Sequence, residues 1–326
     1  MKKIFITGGG GYVGSALTDY LIEKGYYVTA FDLFIYGKDV FNSTKNLNII
    51  EGDIRNIDLV KKSLKDHDMV IHLACISNDP SFELNPKLGK EINLDAFEPL
   101  VSNSKDLGVK RFVYASSSSV YGIKKEKNVS EDMSLEPLTD YSKFKANCEE
   151  ILFKYKSDNF VTSVIRPATV CGYSPRQRLD LVVNILTNLA YHKKEISVFG
   201  GSQLRPNIHI KDMVRAYELF IEIEASKING KIFNVGFENK TVNDLAFSVK
   251  SIIGKDVKIN NVPSNDNRSY HVSSQKILDE LGFKAKFTIE DAVRDLKYAF
   301  DNKLLHNCLD NIDYFNIKKM QNLKLI

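Results

Sequence analysis

The sequence predicts an α/β protein with a doubly wound parallel sheet and a second, smaller lobe of mixed α/β structure. Three observations lead to this fold class. First, a β-branched strand pattern near the N-terminus ends in four consecutive glycines, after which a helical pattern begins. Second, short apolar runs alternate with helical patterns along the following chain. Third, this alternation ends near Gly172. Alternation of this kind favours parallel strands with helices on both faces of the sheet.

The composition excludes several classes of protein. A length of 326 residues, with 43% hydrophobic and 26% charged residues, is typical of one large globular domain or two modest ones. The net charge of +4 comes from dispersed lysines, which favours at most a small anionic ligand and not nucleic acid. Four cysteines without a C-x-x-C motif predict no metal site, no disulfide framework and a cytoplasmic setting. Apolar runs stay well short of about eighteen residues, so we expect no membrane span.

The first fifteen residues carry the strongest local signal. They predict a strand over Lys3–Thr7, a glycine turn over 8–11 and a helix over 12–24. Glycines have no Cβ, so the backbone can approach a pyrophosphate, which the N–H groups at the start of the helix would bind. The run fits both G-x-G-x-x-G and G-x-x-G-x-x-G, which leaves the frame open. The predicted dinucleotide contacts of this turn are Gly8, Gly11, Tyr12, Val13 and Gly14.

Asp32 indicates which dinucleotide this Rossmann-type turn would prefer. It follows a second predicted strand over 27–31 and lies eighteen residues past Gly14, near where an acidic residue contacts the adenosine ribose. A carboxylate there accepts hydrogen bonds from both ribose hydroxyls and repels a 2′-phosphate, which favours NAD over NADP. The alternative is a glycine-rich turn of some other α/β protein, with an unrelated surface aspartate.

The next two predicted strands, over 47–50 and 69–73, carry further candidate contacts at their carboxyl ends. Ligands of doubly wound sheets bind at this edge. Asp53 would accept a hydrogen bond from an adenine amino group, unless it caps the helix predicted over 56–64. The predicted cofactor contacts of these strands are Asp53, Ile54, Leu73 and Ala74.

A polar loop, ISNDPSFELNP at 76–86, follows the fourth predicted strand. Because it starts at the carboxyl end of that strand, Ser77, Asn78 and Asp79 are candidates for substrate contact, with an ordinary turn as the equal alternative. A long helix over 91–106 and a fifth strand over 110–115 come next.

The centre of the chain carries residues suited to proton transfer. Four serines at 116–119 directly follow the fifth predicted strand, and a helix opened by Pro137 contains Tyr141 and Lys145. Residues four apart share one helix face, where a lysine ammonium favours the phenolate form of a nearby tyrosine. Such a tyrosine is a general base for an alcohol, and Ser117 could hydrogen-bond the same oxygen. Taken alone, Y-x-x-x-K is more often a solvated helix face.

The order and spacing of these motifs resemble the extended short-chain dehydrogenase/reductases of the nucleotide-sugar epimerase/dehydratase family. The matching motifs are TGGxGxxGS at 7–15, DxR at 53–55, HLA at 72–74, SSxxVYG at 116–122 and YxxxK at 141–145. The resemblance continues through Arg166-Pro167, Arg205, 208–212 and Arg268, and so covers roughly residues 1–300.

The resemblance implies roles for particular residues. Ser117, Tyr141 and Lys145 would form the catalytic trio, with Tyr141 and Lys145 also touching the NAD cofactor. The substrate would be a nucleotide-diphosphate sugar, whose diphosphate is held in the family by two arginines. The predicted substrate-binding residues are Ser77, Asn78, Ser118, Thr169, Arg178, Arg205 and Arg268. The resemblance also implies a homodimer formed through the helices near Glu91 and Pro137.

Departures from the family pattern narrow the reaction. Family 4,6-dehydratases carry Asp-Glu where this chain has Ser118 and Ser119, so dehydration is not expected. Fucose-synthase-like reductases usually place a Cys in the serine cluster, and UDP-galactose 4-epimerases carry Asn where Thr169 aligns. The stretch SPRQRLDLVVN at 174–184, with RPNIHIKDM after it, is most similar to a bacterial subgroup that includes GDP-heptose 4-dehydrogenases.

The function implied is an NAD-dependent oxidoreductase or epimerase that acts at C4 of a nucleotide-activated sugar through a 4-keto intermediate. Return of hydride to the other face gives an epimer, whereas release of the product makes the enzyme a 4-dehydrogenase or a 4-ketoreductase. A non-catalytic NAD-binding scaffold is the alternative from another class, and the intact catalytic trio argues against it.

The chain after residue 171 is predicted to form mainly the second lobe. Helices are predicted at 178–191, 212–223, 242–253, 274–281 and 289–300, and strands at 196–199, 207–210, 231–235 and 270–272. Arg176 and Arg178 are candidate phosphate contacts at the lobe junction, with plain surface as the alternative. The predicted domains are 1–171 for NAD, to which part of the later chain returns, 172–300 for the substrate, and a tail at 301–326 that packs on a partner subunit or frays.

Overall fold

The computed structural model of the chain describes residues 1–124, 126, 128–264, 269 and 271–323. Within them the strands are β1 Lys3–Thr7, β2 Tyr27–Asp32, β3 Leu47–Glu51, β4 Met69–His72, β5 Arg111–Ala115, β6 Val161–Pro167, β7 Thr169–Cys171, β8 Glu195–Phe199, β9 Leu204–His209, β10 Lys231–Val235, β11 Glu238–Thr241 and β12 Lys258–Val262. The α-helices are α1 Tyr12–Glu23, α2 Ile57–Ser63, α3 Asp79–Glu83, α4 Pro86–Lys90, α5 Phe97–Asp106, α6 Asp140–Lys154, α7 Val182–Lys193, α8 Ile210–Glu222, α9 Ala225–Ile228, α10 Val242–Ile253, α11 Gln275–Leu281, α12 Ile289–Asp301 and α13 Asn316–Asn322. A π-helical turn spans Glu91–Asp95, and 3₁₀ turns span Ser118–Tyr121 and Ile312–Tyr314.

A seven-stranded sheet in the order β10-β6-β5-β4-β1-β2-β3 forms the centre of the protein, and all of its strand pairs are parallel. The strand order reverses between β1 and β4, since β2 and β3 lie on one side of β1 and the later strands on the other. Ligands bind at such a switch point, beyond the carboxyl ends of the strands. The predicted fold class, a doubly wound parallel sheet of the Rossmann type, is confirmed.

Alternating residues of the strands face two separate apolar layers. Ile4 and Ile6 of β1 belong to a cluster with α1 and α8, whereas Phe5 faces a cluster with α2, α5 and α6. Each of these three β1 side chains is fully buried. Successive side chains of a strand point to opposite faces of the sheet, so a strand that is covered on both faces buries every side chain. The core therefore holds β1, and with it the glycine turn, rigidly at the middle of the sheet.

A smaller lobe forms from β7 onward. It contains a three-stranded sheet in the order β11-β9-β7, a parallel pair of β12 with β8, and an apolar cluster shared by α7, α10 and α12. The later chain returns to the large sheet, where β10 lies beside β6 with Phe233 opposite Ile165. The helices α8 and α11 also pack in the apolar cluster of α1.

Several predicted elements differ from those in the structure. The strand β6 was not predicted, and neither were β7, β11 and β12. The predicted helix over 91–106 is divided into the π-helical turn and α5, and the helix predicted from 178 begins only at Val182. The predicted strand at 270–272 partly lies outside the described residues, and Val272 only forms a bridge with Val129.

The described part of the C-terminal segment packs on its own chain. Leu179 N donates a hydrogen bond to Tyr314 O at 2.8 Å, and Met320 of α13 packs against the apolar cluster that contains Ile54 and Phe82. This position brings α13 next to α3, at the carboxyl edge of the sheet. Among the described helices, none has the length and apolarity needed to cross a lipid bilayer.

Candidate active site

The glycine turn between β1 and α1 is held by close backbone packing. Gly8 has a φ of +74°, and a Cβ on it would lie 2.6 Å from Ala74 N. A Cβ on Gly14 would lie 2.0 Å from Gly8 O, so neither position can hold a larger residue without moving the backbone. Gly11 begins α1 as its N-cap and has no side chain to bond the first N–H groups. These groups are therefore available to an anion.

A cavity of about 280 Å³ lies at this turn. Of the two possible glycine frames, the one with Gly8, Gly11 and Gly14 lines it. Every predicted cofactor contact stands on its wall, in five segments that the fold brings together. These residues are Gly8, Gly11, Tyr12, Val13, Gly14, Asp32, Asp53, Ile54, Leu73, Ala74, Tyr141 and Lys145.

Asp32 is fixed at the end of β2 by two backbone donors. Gly10 N donates to its Oδ2 at 3.0 Å and Phe34 N donates to its Oδ1 at 2.9 Å. Burial raises the pKa of Asp32, whereas these hydrogen bonds and the charge of Arg176 act in the opposite direction. Each carboxylate oxygen can accept more than one hydrogen bond, so Asp32 keeps the capacity to accept from ribose hydroxyls.

Asp53 lines the cavity and is paired with Arg55. Arg55 Nη2 lies 2.7 Å from Asp53 Oδ2, and its Nη1 lies 2.8 Å from Glu91 Oε2. Burial alone would raise the pKa of Asp53, but the hydrogen bonds from Arg55 outweigh it and lower the value. The alternative that Asp53 caps the following helix is wrong, because Asn56 is the N-cap and accepts from Leu59 N at 3.1 Å.

Tyr141 and Lys145 lie on one face of α6 and line the cavity. The helix begins after a capping box in which Thr139 and Ser142 bond each other's backbone N–H groups, so its first turn is fixed. Lys145 Nζ lies 5.9 Å from the centre of the Tyr141 ring and donates to Ala115 O at 2.7 Å. Burial raises the pKa of the Tyr141 phenol, with smaller contributions from Cys75 and Asp79, and hydrogen bonding with Ser117 lowers it.

The direction of this pKa differs from the sequence prediction. Lys145 was expected to favour the phenolate, but its ammonium is directed at a backbone carbonyl and burial of the phenol has the larger effect. Ser117 itself is the N-cap of the 3₁₀ turn that follows β5, and its Oγ lies 2.8 Å from Ser119 Oγ. The three residues are therefore neighbours, and burial disfavours the phenolate form of Tyr141.

A buried ion pair supports the serine segment and α6. Arg166 Nη2 of β6 lies 2.6 Å from Glu149 Oε2 of α6, and Ser116 Oγ donates to Glu149 Oε1 at 2.5 Å. Arg166 Nη1 also donates to Tyr121 OH at 2.8 Å. This network joins β5, β6 and α6 directly behind Ser117.

Two of the predicted substrate-binding residues stand together on the cavity wall. Arg178 Nη1 donates to Ser77 Oγ at 3.3 Å, and both residues line the cavity. Asn78 instead caps α3, where its Oδ1 accepts from Ser81 N at 2.9 Å with a φ of +71°.

Three further predicted substrate residues, all of them described, do not line this cavity. Ser118 is buried in the 3₁₀ turn, Thr169 pairs with Asn207 between β7 and β9, and Arg205 on β9 donates to Leu204 O at 3.0 Å. Arg268 lies outside the described residues. Within the described part of the chain, no cluster of His, Cys, Asp and Glu has an arrangement suited to a metal ion.

The glycine turn, Asp32 and the Tyr141–Lys145 pair all lie within the part of the chain that matches a known family. The model of this family, described as the NAD dependent epimerase/dehydratase family, matches residues 4–236, well over half of the chain. The chain belongs to this family. The predicted family is thereby confirmed, while the narrower resemblance to GDP-heptose 4-dehydrogenases stays a prediction.

Relatives within the epimerase/dehydratase family match almost the full chain. A UDP-glucose 4-epimerase of Lactobacillus helveticus is 27% identical over 312 residues, which cover 89% of this chain and 94% of that protein. The structure of a UDP-glucose 4-epimerase from Thermotoga maritima, solved with UDP-glucose, has a TM-score of 0.84 at 28% identity and covers 93% of this chain and 100% of its own. A UDP-glucuronic acid 4-epimerase from Bacillus cereus, in complex with UDP-glucuronic acid and NAD, has a TM-score of 0.83 at 26% identity and covers 93% and 100%.

The predicted NAD dependence agrees with the family, and the residues present fit this cofactor. The glycine positions leave space that a Cβ would fill, α1 presents free N–H groups, and Asp32 stands at the end of β2. These are the elements by which Rossmann sheets hold a pyrophosphate and an adenosine ribose.

Sequence reasoning missed two residues of the C-terminal segment. Asn316 and Met320 both line the cavity. They belong to a short polar helix, NIKKMQN, in which only Asn316 is buried. No periodic pattern marks such a helix, because its position depends on contacts with distant parts of the chain.

Proposed function

We propose that this chain is an NAD-dependent enzyme that oxidises the C4 hydroxyl of a nucleotide-diphosphate sugar and returns the hydride to the 4-keto intermediate to give the C4 epimer. The observation that carries the proposal is the position of Tyr141 and Lys145 on the wall of the same cavity as the glycine turn and Asp32. A purely NAD-binding protein has no need of a phenol there.

The proposed roles follow from the chemistry of each side chain. Tyr141 exchanges a proton with the C4 oxygen, Ser117 hydrogen-bonds the same oxygen, and Lys145 orients the cofactor and the phenol. When bound, NAD supplies the acceptor and the donor of hydride. In the oxidative half the C4 hydroxyl gives its proton to the Tyr141 phenolate, and in the reductive half the phenol returns that proton to the keto oxygen. Burial raises the pKa of Tyr141 and so favours the protonated form that the reductive half uses.

The proposed substrate class is supported by the relatives and by the charge of the site. Structures of related epimerases contain UDP-glucose and UDP-glucuronic acid. A guanidinium group binds two phosphate oxygens at once through paired hydrogen bonds. We propose that Arg205 and Arg268 bind the diphosphate of the sugar, as the family resemblance implies.

A second outcome uses the same residues. If the 4-keto sugar is released, the enzyme is a 4-dehydrogenase, or a 4-ketoreductase in the reverse direction. The motif at 174–184 favours this outcome through its similarity to GDP-heptose 4-dehydrogenases. In both cases Ser118 and Ser119 replace the acidic pair of the family dehydratases, so loss of water is not expected.

The deciding experiment incubates the purified protein with UDP-, GDP-, CDP- and dTDP-sugars and follows the products by mass spectrometry and NMR. An epimer has the mass of its substrate, and a 4-keto product is lighter by two hydrogens. A product that has lost water would show that our interpretation of Ser118 and Ser119 is wrong. A Tyr141→Phe variant with wild-type turnover would contradict the proposed chemistry altogether.

We also propose a homodimer formed by the α5 and α6 surfaces. A surface groove between these helices is lined by apolar as well as polar side chains, among them Leu94, Pro99 and Ile151. Light scattering on the purified protein should give twice the chain mass. An Ile151→Glu variant should shift the protein towards the monomer, and a monomeric wild type would contradict the assignment.

A further inference from the structure

Two buried arginines on the cavity wall lack part of their hydrogen bonding. Arg176 is 4% exposed and Arg178 is 7% exposed. Arg176 Nε and Arg178 Nη2 are both buried and find no hydrogen-bond partner among the residues that the structure describes. A buried N–H group without an acceptor is destabilising, and native structures contain few of them. Since both side chains line the cavity, an acceptor within it would satisfy them.

Arg176 is located on the adenosine side of the cavity. Its backbone N donates to Ser15 Oγ at 3.2 Å in the first turns of α1, and its guanidinium carbon lies 3.5 Å from the centre of the Tyr36 ring. Tyr36 follows β2 and so lies close in sequence to Asp32. The guanidinium is thus fixed between the start of α1 and the carboxyl end of β2, which is where the diphosphate of a dinucleotide passes.

The two arginines differ in whether a carboxylate bonds them directly. Arg178 Nε is paired with Asp180 Oδ1 at 2.8 Å. Within the described part of the chain, the Arg176 guanidinium hydrogen-bonds the neutral amide of Asn316, at 2.7 Å, and no carboxylate. Asp32 also faces Arg176, but its oxygens accept from backbone N–H groups. Burial lowers the pKa of Arg176 to about 10, and the positive charge of Arg178 contributes. A buried cation of this kind gains most from an anionic ligand.

Asn316 connects this arginine pair to two other segments. Its Oδ1 accepts from Arg176 Nη2 at 2.7 Å, its Nδ2 donates to Ser77 Oγ at 2.9 Å, and its backbone N donates to Asp180 Oδ2 at 2.8 Å. Residues 311–323, here called the C-terminal strap, therefore join the loop after β4 to the loop that carries the arginines. Asn316 is 5% exposed, so these bonds are shielded from water.

We propose that Arg176 and Arg178 form a second anion site for the diphosphate of the cofactor, in addition to the N-terminus of α1. The C-terminal strap holds this site closed, so that NAD is retained between turnovers. The inference rests on NAD as the cofactor in the proposed function, and not on the sugar chemistry. Retention suits a reaction in which hydride leaves the sugar and returns to it without exchange of the cofactor.

The arginine pair is tested by calorimetry on protein from which the cofactor has been removed. Arg176→Met and Arg178→Met should each raise the Kd for NAD and for ADP about tenfold or more, because charge-assisted hydrogen bonds are lost. The Kd for adenosine, which carries no phosphate, should stay at the wild-type value. Arg294→Met is the matched control, since Arg294 is exposed and pairs with Asp291 on α12.

Two results would overturn this assignment. An equal loss of affinity for adenosine and ADP would show that the arginines only support the fold of the cavity. Unchanged NAD affinity with weaker binding of UDP or GDP would show that they bind the nucleotide of the substrate instead. Neither measurement needs turnover, so a failed sugar panel and a failed arginine site are separate outcomes.

The strap is tested by the rate at which radiolabelled NAD leaves the loaded protein. Asn316→Ala should release NAD about tenfold faster than wild type, as expected for loss of a buried hydrogen bond to a charged group. Asn322→Ala, at the exposed end of α13, should release it at the wild-type rate. A second variant ends the chain after Asp310 and should behave like Asn316→Ala. If both variants keep a cooperative thermal transition and the wild-type release rate, the strap does not retain the cofactor.

Discussion

Arg166 and Glu149 form a two-point ion pair in the interior, with Nε to Oε1 at 2.9 Å and Nη2 to Oε2 at 2.6 Å. Their side chains are 2% and 4% exposed, so water cannot replace either partner. Glu149 lies two turns after Tyr141 on α6, and the same carboxylate accepts from Ser116 Oγ. The pair therefore fixes the predicted catalytic helix to the strand end that carries the serines.

The first prediction concerns this pair. Glu149→Gln leaves the Arg166 guanidinium buried without a carboxylate, and we expect the free energy of unfolding to fall by about 3–5 kcal/mol. Urea denaturation followed by circular dichroism measures the change. Glu280→Gln is the control, because it removes the partner of the exposed Lys231 and should change the free energy by about 1 kcal/mol or less. A similar loss in both variants would contradict a special role for the buried pair.

The second prediction concerns the proposed proton transfer. Tyr141→Phe should lower kcat by about 10²- to 10⁴-fold while the Kd for NAD stays within about twofold of wild type. Lys145→Met should lower kcat and also weaken NAD binding, since Lys145 lines the cavity and its ammonium is held at Ala115 O. Tyr155→Phe, at the exposed C-terminal end of α6, is the matched control. Full activity of Tyr141→Phe would favour the scaffold hypothesis.

The third prediction concerns the choice of dinucleotide. Asp32→Asn keeps the size of the side chain and removes its charge, so repulsion of a 2′-phosphate should disappear. We expect the Kd for NAD to rise about tenfold and the preference for NAD over NADP to fall by at least the same factor. Titration with both dinucleotides gives the ratio. An unchanged ratio of the two Kd values would show that Asp32 only stabilises the backbone, by accepting hydrogen bonds from Gly10 N and Phe34 N.

The fourth prediction concerns pH and His72, whose Nδ1 lies 2.7 Å from Thr7 Oγ1 in the core of the sheet. Burial lowers the pKa of His72 from 6.5 to about 3, and the charge of Lys145 contributes. Below about pH 6.5, His72 binds a proton in the unfolded chain but not in the folded chain, which favours unfolding. The stability linked to neutral His72 is therefore fully present above about pH 6.5. It should be lost by up to about 1.4 kcal/mol per pH unit as the pH falls towards 3.

The measurement is the difference between the wild type and a His72→Gln variant, because all other groups titrate in both proteins. The free energy of unfolding of the wild type should decline more steeply with acidification than that of the variant. Parallel curves would mean that His72 is protonated in the folded protein.

The N-terminal half of the fold was predictable because its strands are short apolar runs between clear breaks. β6 was missed since Thr162, Ser163 and Arg166 interrupt its apolar pattern, although all three are buried. The burial of Arg166 depends on its partner Glu149, which the local sequence does not reveal. β12, KINNV, is polar and largely exposed, so it has no periodic signal at all.

The site was predictable where a motif fixes the backbone and less so where the fold brings distant segments together. The glycine turn, Asp32 and Tyr141 all reach one cavity, as their order in the chain implied. Asn78 was instead a helix cap, and a local cap competes with ligand binding wherever an Asn precedes a helix. Asn316 could not be found, because its contact with Arg176 spans 140 positions of sequence.

The return of β10 to the large sheet limits how this protein can be divided. A fragment that stops at Cys171 would leave one whole edge of β6 without its partner strand, and exposed apolar edges of this type recruit other chains and aggregate. Expression of the first half alone should thus give insoluble material. Grafting the second lobe of a relative onto this framework would need at least three junctions, one before β7, one before β10 and one after β10, instead of a single fusion point.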